Sequence, residues 1–421
     1  PPQIEEFFAA GDRRHQAARR RRRIRYGIAL AIAAIIAVPI VGMTTRYLTR
    51  ETLLANNTGT MDLVVIPFDW AGSAAVPSGI APLAQLSLTL HGAGNDLYEP
   101  GEQLPDDVID VSKPVDVGFQ RIQRIRAPGG TVFLRFAHRG RAGETCPASW
   151  IRIQAFPGYL TAKIRSIVLW VPTCAATYAN TAIVEAGPFL YGGAGEPRSS
   201  HYGKNDYTEV ERTADLPTFH MDRTEVSNAA FAPFTTAASV TGYPALVYPV
   251  ASETSVHLHD ADPEYPASGV DAYAAAAYCA YMGKRLPSDF QWVKAARGGL
   301  TVDGKPNPHP MRLYPWGATP RPECVNDENR RDPYGWTAPV DALACGRSPY
   351  GILNLVGNVQ EWIARDGQVD LHNPLHALRG GSPDSPPELE HTTTIFRNAR
   401  RPLSSSYSNG FRCVIEPDEA P

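Results

Sequence analysis

The stretch Gly351-Ile-Leu-Asn-Leu-Val-Gly-Asn-Val-Gln-Glu-Trp362 constrains this chain more than any other. It opens on a turn glycine, alternates apolar and polar residues, is interrupted by Gly357, and ends on a carboxylate and an indole. Asn354, Gly357 and Glu361 can direct side-chain and backbone oxygens at one point, and an all-oxygen set suits a hard cation such as calcium. The plainer reading of the same residues is a bulged core strand with an ordinary buried Trp362.

A chain of 421 residues is too long for one ordinary domain and suits two or three. Its net charge of −3 gives no argument for a nucleic-acid partner. The 38 prolines and 35 glycines favour turn-rich β structure over helical bundles. The sequence opens on Pro1 rather than Met, as a fragment or a processed product would.

Residues 1–25 are polar and basic, and Arg19–Arg23 and Arg25 abut an uncharged apolar run beginning at Tyr26. With its flanks this run (26–48) reaches the roughly 20 residues of a spanning helix, and Pro39 is tolerable within one. A cleavable signal peptide is the rival reading, but no clear small-x-small site follows. Arg13, Arg14 and the Arg19–Arg25 cluster lie before the run, against Arg46 and Arg50 after it. The positive-inside rule then predicts a single-pass membrane protein with a cytoplasmic N-terminus and residues 50–421 outside, periplasmic or extracellular.

Residues 60–182 read as β-rich. Asp62–Phe68, Ala84–Leu90, Thr131–Phe136, Trp150–Phe156 and Ala162–Trp170 alternate or form short apolar runs between Pro/Gly/Asp-rich turns. A small β-sandwich serving as spacer or interaction module is expected. Ala272–Arg297 reads as helical, with a second helix starting at Pro287. The cysteines are 146, 174, 279, 324, 345 and 413; none forms a Cys-x-x-Cys pair, and an even set outside a membrane favours disulfides without fixing their pairing. His257-Leu-His259-Asp260 is the one clustered His/Asp set, and its flanks read as an exposed loop.

Several segments carry a family resemblance in the family's order. Asn354-Leu-Val-Gly-Asn-Val-Gln-Glu-Trp362 resembles the Asn-x-x-Gly-Asn-x-x-Glu-Trp signature of the formylglycine-generating-enzyme (sulfatase-modifying factor) superfamily. Val184–Gly193, Phe219-His-Met-Asp-Arg-Thr-Glu-Val-Ser-Asn228, Ala277–Trp292 with its Gly-Lys-Arg-Leu-Pro core, Tyr314–Gly317, Ala338–Asp341, Leu378-Arg-Gly-Gly-Ser382 and Gly410-Phe-Arg-Cys-Val414 resemble its other motifs. The resemblance implies an irregular α+β, C-type-lectin-like fold over 183–417.

It also implies sites. Two structural calcium ions are expected: one on Asn354, Gly357, Val359 and Glu361, the other on Asn326, Asp327, Asp332 and Tyr334. Cys279 is expected to pair with Cys413. Cys146–Cys174 would then stay within the β module, and Cys324–Cys345 would close a loop around the metal segment. The family's enzymes hold copper on two cysteines just after Arg-Gly-Gly-Ser, and soft Cu(I) demands thiolates. Here Ser385 stands at the first of these positions, no cysteine lies between 345 and 413, and Gln360 replaces a typical tryptophan. No copper and no formylglycine generation are therefore expected. No Gly-x-Ser-x-Gly elbow, His-Glu-x-x-His or phosphate loop supplies other chemistry.

The expectation is a catalytically silent, membrane-anchored binding or sensor protein with an unidentified ligand or protein partner. Its groove rim would comprise His391, Arg397, Arg400, Tyr407 and Asn409, with the two arginines at helical or turn spacing gripping a carboxylate or phosphate. Bacterial receptor-like serine/threonine kinases sometimes carry such a domain outside the membrane. An enzyme of altered oxidative chemistry and a structural envelope protein are the alternatives.

Overall fold

The computed structural model describes residues 58–68, 84–93, 100–111, 120–128, 130–139, 146–155, 165–193, 211–232, 234, 262–327, 332–364, 376–384 and 392–416. The basic segment, the apolar run at 26–48 and the His257–Asp260 cluster lie outside these residues. Among the described residues no helix is long and apolar enough to cross a membrane.

Among the described residues the N-terminal module has seven strands: β1 (Thr58–Phe68), β2 (Ala84–Ala93), β3 (Pro100–Val111), β4 (Gln120–Pro128), β5 (Gly130–Arg139), β6 (Ser149–Ala155) and β7 (Arg165–Pro172). They form a three-stranded sheet ordered β4-β1-β7 and a four-stranded sheet ordered β3-β2-β5-β6. β1 and β7 run parallel, so the first sheet is mixed rather than antiparallel. β3 and β4 were not anticipated from the residue pattern. In β4, Ile122 and Ile125 are three apart, which breaks simple alternation. The ladder shifts register between Asp62 and Leu63, so Ile122 faces Leu63 and Ile125 faces Met61. The residue skipped in this register, Gln123, makes a β-bulge in β4.

The second half begins with the short helix α1 (Cys174–Tyr178) and β8 (Thr181–Val184). The boundary expected at 183 therefore falls inside a strand. β8 pairs with β11 (Phe219–Asp222), which pairs in turn with the C-terminal β18 (Val414–Ile415). β9 (Gly187–Tyr191) and β10 (Arg212–Leu216) form a hairpin-like pair, and β12 (Thr301–Val302) and β13 (Lys305–Pro306) form another. A four-stranded sheet ordered β16-β15-β14-β17 joins Arg397–Arg400, His376–Arg379, Gln360–Trp362 and Asn409–Gly410.

Helix α2 (Ala272–Tyr281) is capped by Asp271, whose carboxylate accepts the Ala274 N–H. Helix α3 (Asp289–Arg297) starts on a capping box in which Ser288 and Gln291 satisfy each other's backbone N–H groups. Pro287 thus sits just ahead of the helix rather than inside it. Trp292, Val293, Ala295 and Ala296 of α3 join Val184, Phe189, Tyr191, Phe219, Met221, Ile352, Leu355 and Val414 in one core. Short strands and long loops are held by covalent links: Cys146–Cys174, Cys279–Cys413 and Cys324–Cys345 are disulfides.

Candidate functional site

The signature loop owes its shape to three residues with left-handed backbone. Asn354, Gly357 and Asn358 have φ of +51°, +78° and +60°. Asn and Gly are the residues that take this conformation at least cost, which gives the Asn-x-x-Gly-Asn spacing a backbone cause. Gly357 has a second one: a Cβ there would collide with the carbonyl oxygen of Asn326. The Asn358 N–H donates to that same oxygen at 2.9 Å. The loop is thereby fixed to the segment carrying the other predicted cation set.

The two asparagine side chains converge on Glu225. Asn354 Nδ2 donates to Oε2 at 3.2 Å and Asn358 Nδ2 to Oε1 at 2.9 Å. Burial pushes the Glu225 carboxyl up to about 7, with Arg412 opposing and Glu361 adding to the rise. Glu225 was not anticipated as part of the site, although it lies in the quoted segment Phe219–Asn228 as its one glutamate.

Glu361 is engaged from all sides. Both oxygens accept Arg412 Nε at 2.9 Å, Oε1 accepts Arg412 Nη2 at 2.6 Å, and Oε2 accepts Trp292 Nε1 at 2.9 Å. A hard divalent cation needs carboxylate charge directed at it, and here that charge is met by a guanidinium. In this geometry the Glu361 carboxylate is part of a structural core knot and is not free to ligate the calcium ion expected on Asn354, Gly357, Val359 and Glu361.

The other set does fit. Asn326 and Asp332 are 0% and 8% exposed, and Asn326 Nδ2 donates to Asp332 Oδ1 at 3.2 Å. That oxygen also accepts the Tyr334 N–H at 2.8 Å. Asn326 Oδ1 and Asp332 Oδ2 are buried oxygens with no donor. Two such acceptors side by side are costly unless a cation or donor meets them. Asp327 is buried beside them and Tyr334 is half-buried.

At the position of the family's chemistry, Arg379 of β15 pairs with Asp289 (Nη2–Oδ1 2.5 Å), and Arg397 of β16 reaches the other oxygen at 3.0 Å. Arg397 and Arg400 lie on a strand, not a helix or turn, so a separation of three puts them on opposite faces. They do not form the joint anion grip expected of them. Arg397 is also committed to Asp289. Gln360 Nε2 donates to Ser382 Oγ at 3.3 Å, and Gln360 Oε1 accepts Asn398 Nδ2 at 2.8 Å. This neutral set occupies the neighbourhood of the missing tryptophan. Tyr407 donates to Asp384 at 2.9 Å and stands edge-on to Trp336 at 5.4 Å. Asn409 pairs with Gln360 in the sheet, and its Oδ1 is buried without a donor. Ser385 and His391 lie outside the described residues. All six cysteines are in disulfides, so no thiolate is available here.

A family model described as the sulfatase-modifying factor enzyme 1-like domain matches residues 169–417. The chain is 34% identical over 162 residues to a bovine (Bos taurus) protein named inactive C-alpha-formylglycine-generating enzyme 2, covering 36% of this chain and 50% of that one. It is 33% identical over 184 residues to the formylglycine-generating enzyme of Thermomonospora curvata, covering 37% and 57%. Against the formylglycine-generating enzyme of Streptomyces coelicolor it is 30% identical over 269 residues, covering 49% and 81%. The chain thus spans about half the length of the first two relatives. The matched span holds the signature loop, the Arg-Gly-Gly-Ser turn and the Gly-Phe-Arg-Cys end just described, and the chain belongs to the sulfatase-modifying factor enzyme 1-like family.

Proposed function

We propose that this chain is a membrane-anchored, extracytoplasmic binding protein whose family domain has lost formylglycine chemistry. One observation carries the reading. Arg379-Gly-Gly-Ser382 is followed by Pro383 and Asp384, and every cysteine of the chain is held in a disulfide elsewhere. Serine hydroxyls do not replace the thiolates that a soft Cu(I) ion requires. The relatives named inactive agree with this.

The ligand chemistry follows from what surrounds the position. Among the described residues Arg379 and Arg397 share Asp289 and Asp384 accepts from Tyr407, so the groups around the position include amides, a hydroxyl, Trp336 and Tyr407. Neutral hydrogen-bonding ligands with a ring-stacking face suit this set better than anions. Calcium is a structural ion in this reading, held by the Asn326 and Asp332 side chains with the Asp327 and Tyr334 carbonyls. It supplies rigidity to the loop ahead of the signature. The basic segment and the apolar run at 26–48 supply the anchor, and a cytoplasmic kinase joined ahead of them would make the domain its sensor.

The test is direct. The purified chain is given Cu(I), oxygen and a cysteine-bearing sulfatase-type peptide. The peptide thiol is expected to remain intact by mass spectrometry. Conversion of the cysteine to an aldehyde would overturn the reading. Membrane fractionation with an antibody to the ectodomain tests the anchor, which recovery in the soluble fraction would refute.

A further inference from the structure

The N-terminal module is joined to the family domain by more than the strand that connects them. β7 ends at Pro172, and Cys174 then opens α1. Cys174 is bonded to Cys146, which lies just ahead of β6 in the other sheet. β6 itself packs against α2 of the family domain. Ser149 lies opposite Phe136 of β5, and both are 0% exposed. Trp150, on the opposite face, is half-buried, edge-on to His91 at 4.8 Å and under Arg135.

One close approach is at Gly283, one residue past the C-cap of α2. Its φ is +69°, and a Cβ there would lie 3.1 Å from the Pro147 carbonyl oxygen and 3.4 Å from Ser149 Oγ and Thr177 Oγ1. Pro147 and Ser149 belong to the module, Thr177 to the connecting helix and Gly283 to the family domain. Three parts of the chain therefore meet within van der Waals distance around one residue that lacks a side chain. Close packing of this kind resists small displacements.

We infer that the β module and the family domain form a single rigid body, bolted at the Pro147/Ser149–Thr177–Gly283 contact and by Cys146–Cys174. The pairing of β1 with β7 gives this a direction. Met61 faces Arg165 and Phe68 faces Pro172, so the C-terminal end of β1 lies at the junction. Thr58, where the chain enters the module, is at the other end of β1, on the order of 30 Å away. The module is thus a post, not a flexible spacer. It holds the family domain at one distance and orientation from whatever precedes Thr58.

The experiment uses the full chain in detergent micelles. Spin labels on non-cysteine synthetic side chains are placed at Glu102 of the module and Lys305 of the family domain, both exposed. A single narrow distance distribution is expected, and a broad or multi-peaked one overturns the inference. Ser149→Phe drives a wedge into the contact from an edge strand and is expected to widen the distribution at least twofold. Cys146→Ser with Cys174→Ser, which leaves the packing residues in place, is expected to widen it less. A distribution that stays narrow in the wedge variant would show that the contact does not hold the two parts together.

Discussion

Arg412 and Glu361 face each other in the core, both side chains 0% exposed, with Nη2 2.6 Å from Oε1. Nη1 and Nη2 also donate to the carbonyls of Asp222 and Leu353. One ion pair thereby ties the last motif of the domain to its signature loop and to β11. Breaking such a pair leaves a buried charge without a partner. Arg412→Leu or Glu361→Leu alone is expected to lower unfolding stability by about 3–5 kcal/mol in urea titration. The double Leu variant is expected to lose less than the sum of the two, because neither charge is then stranded. Additive losses would mean that the pair does not act as a unit.

The two expected cation sets make opposite predictions. Asn326 Oδ1 and Asp332 Oδ2 have no donor, whereas Glu361 is engaged by Arg412 and Trp292. Free calcium at about 100 times its Kd should stabilise the wild-type chain by about 2.7 kcal/mol, visible as a rise in melting temperature that a chelator reverses. Asp332→Ala is expected to abolish the rise. Glu361→Gln is expected to lower the melting temperature while leaving the calcium-dependent rise in place. If Glu361→Gln alone removes the rise, the ion sits in the signature loop after all.

These sites show where the residues are readable in order and where they are not. Local rules were legible. The helix over Ala272–Tyr281 is where it was expected, and the second helix is present but begins at Asp289, after a Ser288 cap, rather than at Pro287. The family domain was legible because its motifs are contiguous strings. What Glu361 faces was not, since its partner lies 51 residues further along and a carboxylate at that spacing suits a cation or a guanidinium equally. Arg397 and Arg400 misled because separation by three implies one face only on a helix, and pairing with β15 makes the segment a strand. β3 escaped notice because Pro100, Gly101, Pro105 and the adjacent Asp106 and Asp107 read as a turn.

His220 predicts a pH response of defined sign. It stands edge-on to Tyr178 at 5.0 Å on the outer side of β11, and burial, followed by Lys284, lowers its pKa below 6.5. The unfolded chain then binds the proton more readily than the folded one, so this residue's contribution is intact above pH 6.5 and is lost as pH falls through the lowered value. His220→Phe keeps a ring against Tyr178 but cannot charge. Melting temperatures of the two proteins are expected to run parallel above pH 6.5 and to diverge below it, with the wild type falling further. Parallel curves down to pH 5 would exclude His220 as a contributor.

The disulfides are expected to differ in accessibility and in consequence. Cys279 and Cys413 are both 0% exposed and are separated by 134 residues, whereas Cys345 is exposed and its link to Cys324 spans 21. A thiol reductant reaches the exposed sulfur without unfolding, so mild reduction followed by alkylation should label Cys324 and Cys345 first. Chain-entropy arguments assign about 3 kcal/mol to a loop of that size and about 5 kcal/mol to the longer one. Cys324→Ser with Cys345→Ser is therefore expected to leave a folded chain with weakened calcium response, because Cys324 lies two residues before Asn326. Cys279→Ala with Cys413→Ala removes the staple between α2 and the last strand, and is expected to cost more in denaturant stability. Peptide mapping of the alkylated cysteines, read beside the two unfolding curves, decides both orders. Labelling of Cys279 before Cys345 would contradict the burial on which the first one rests.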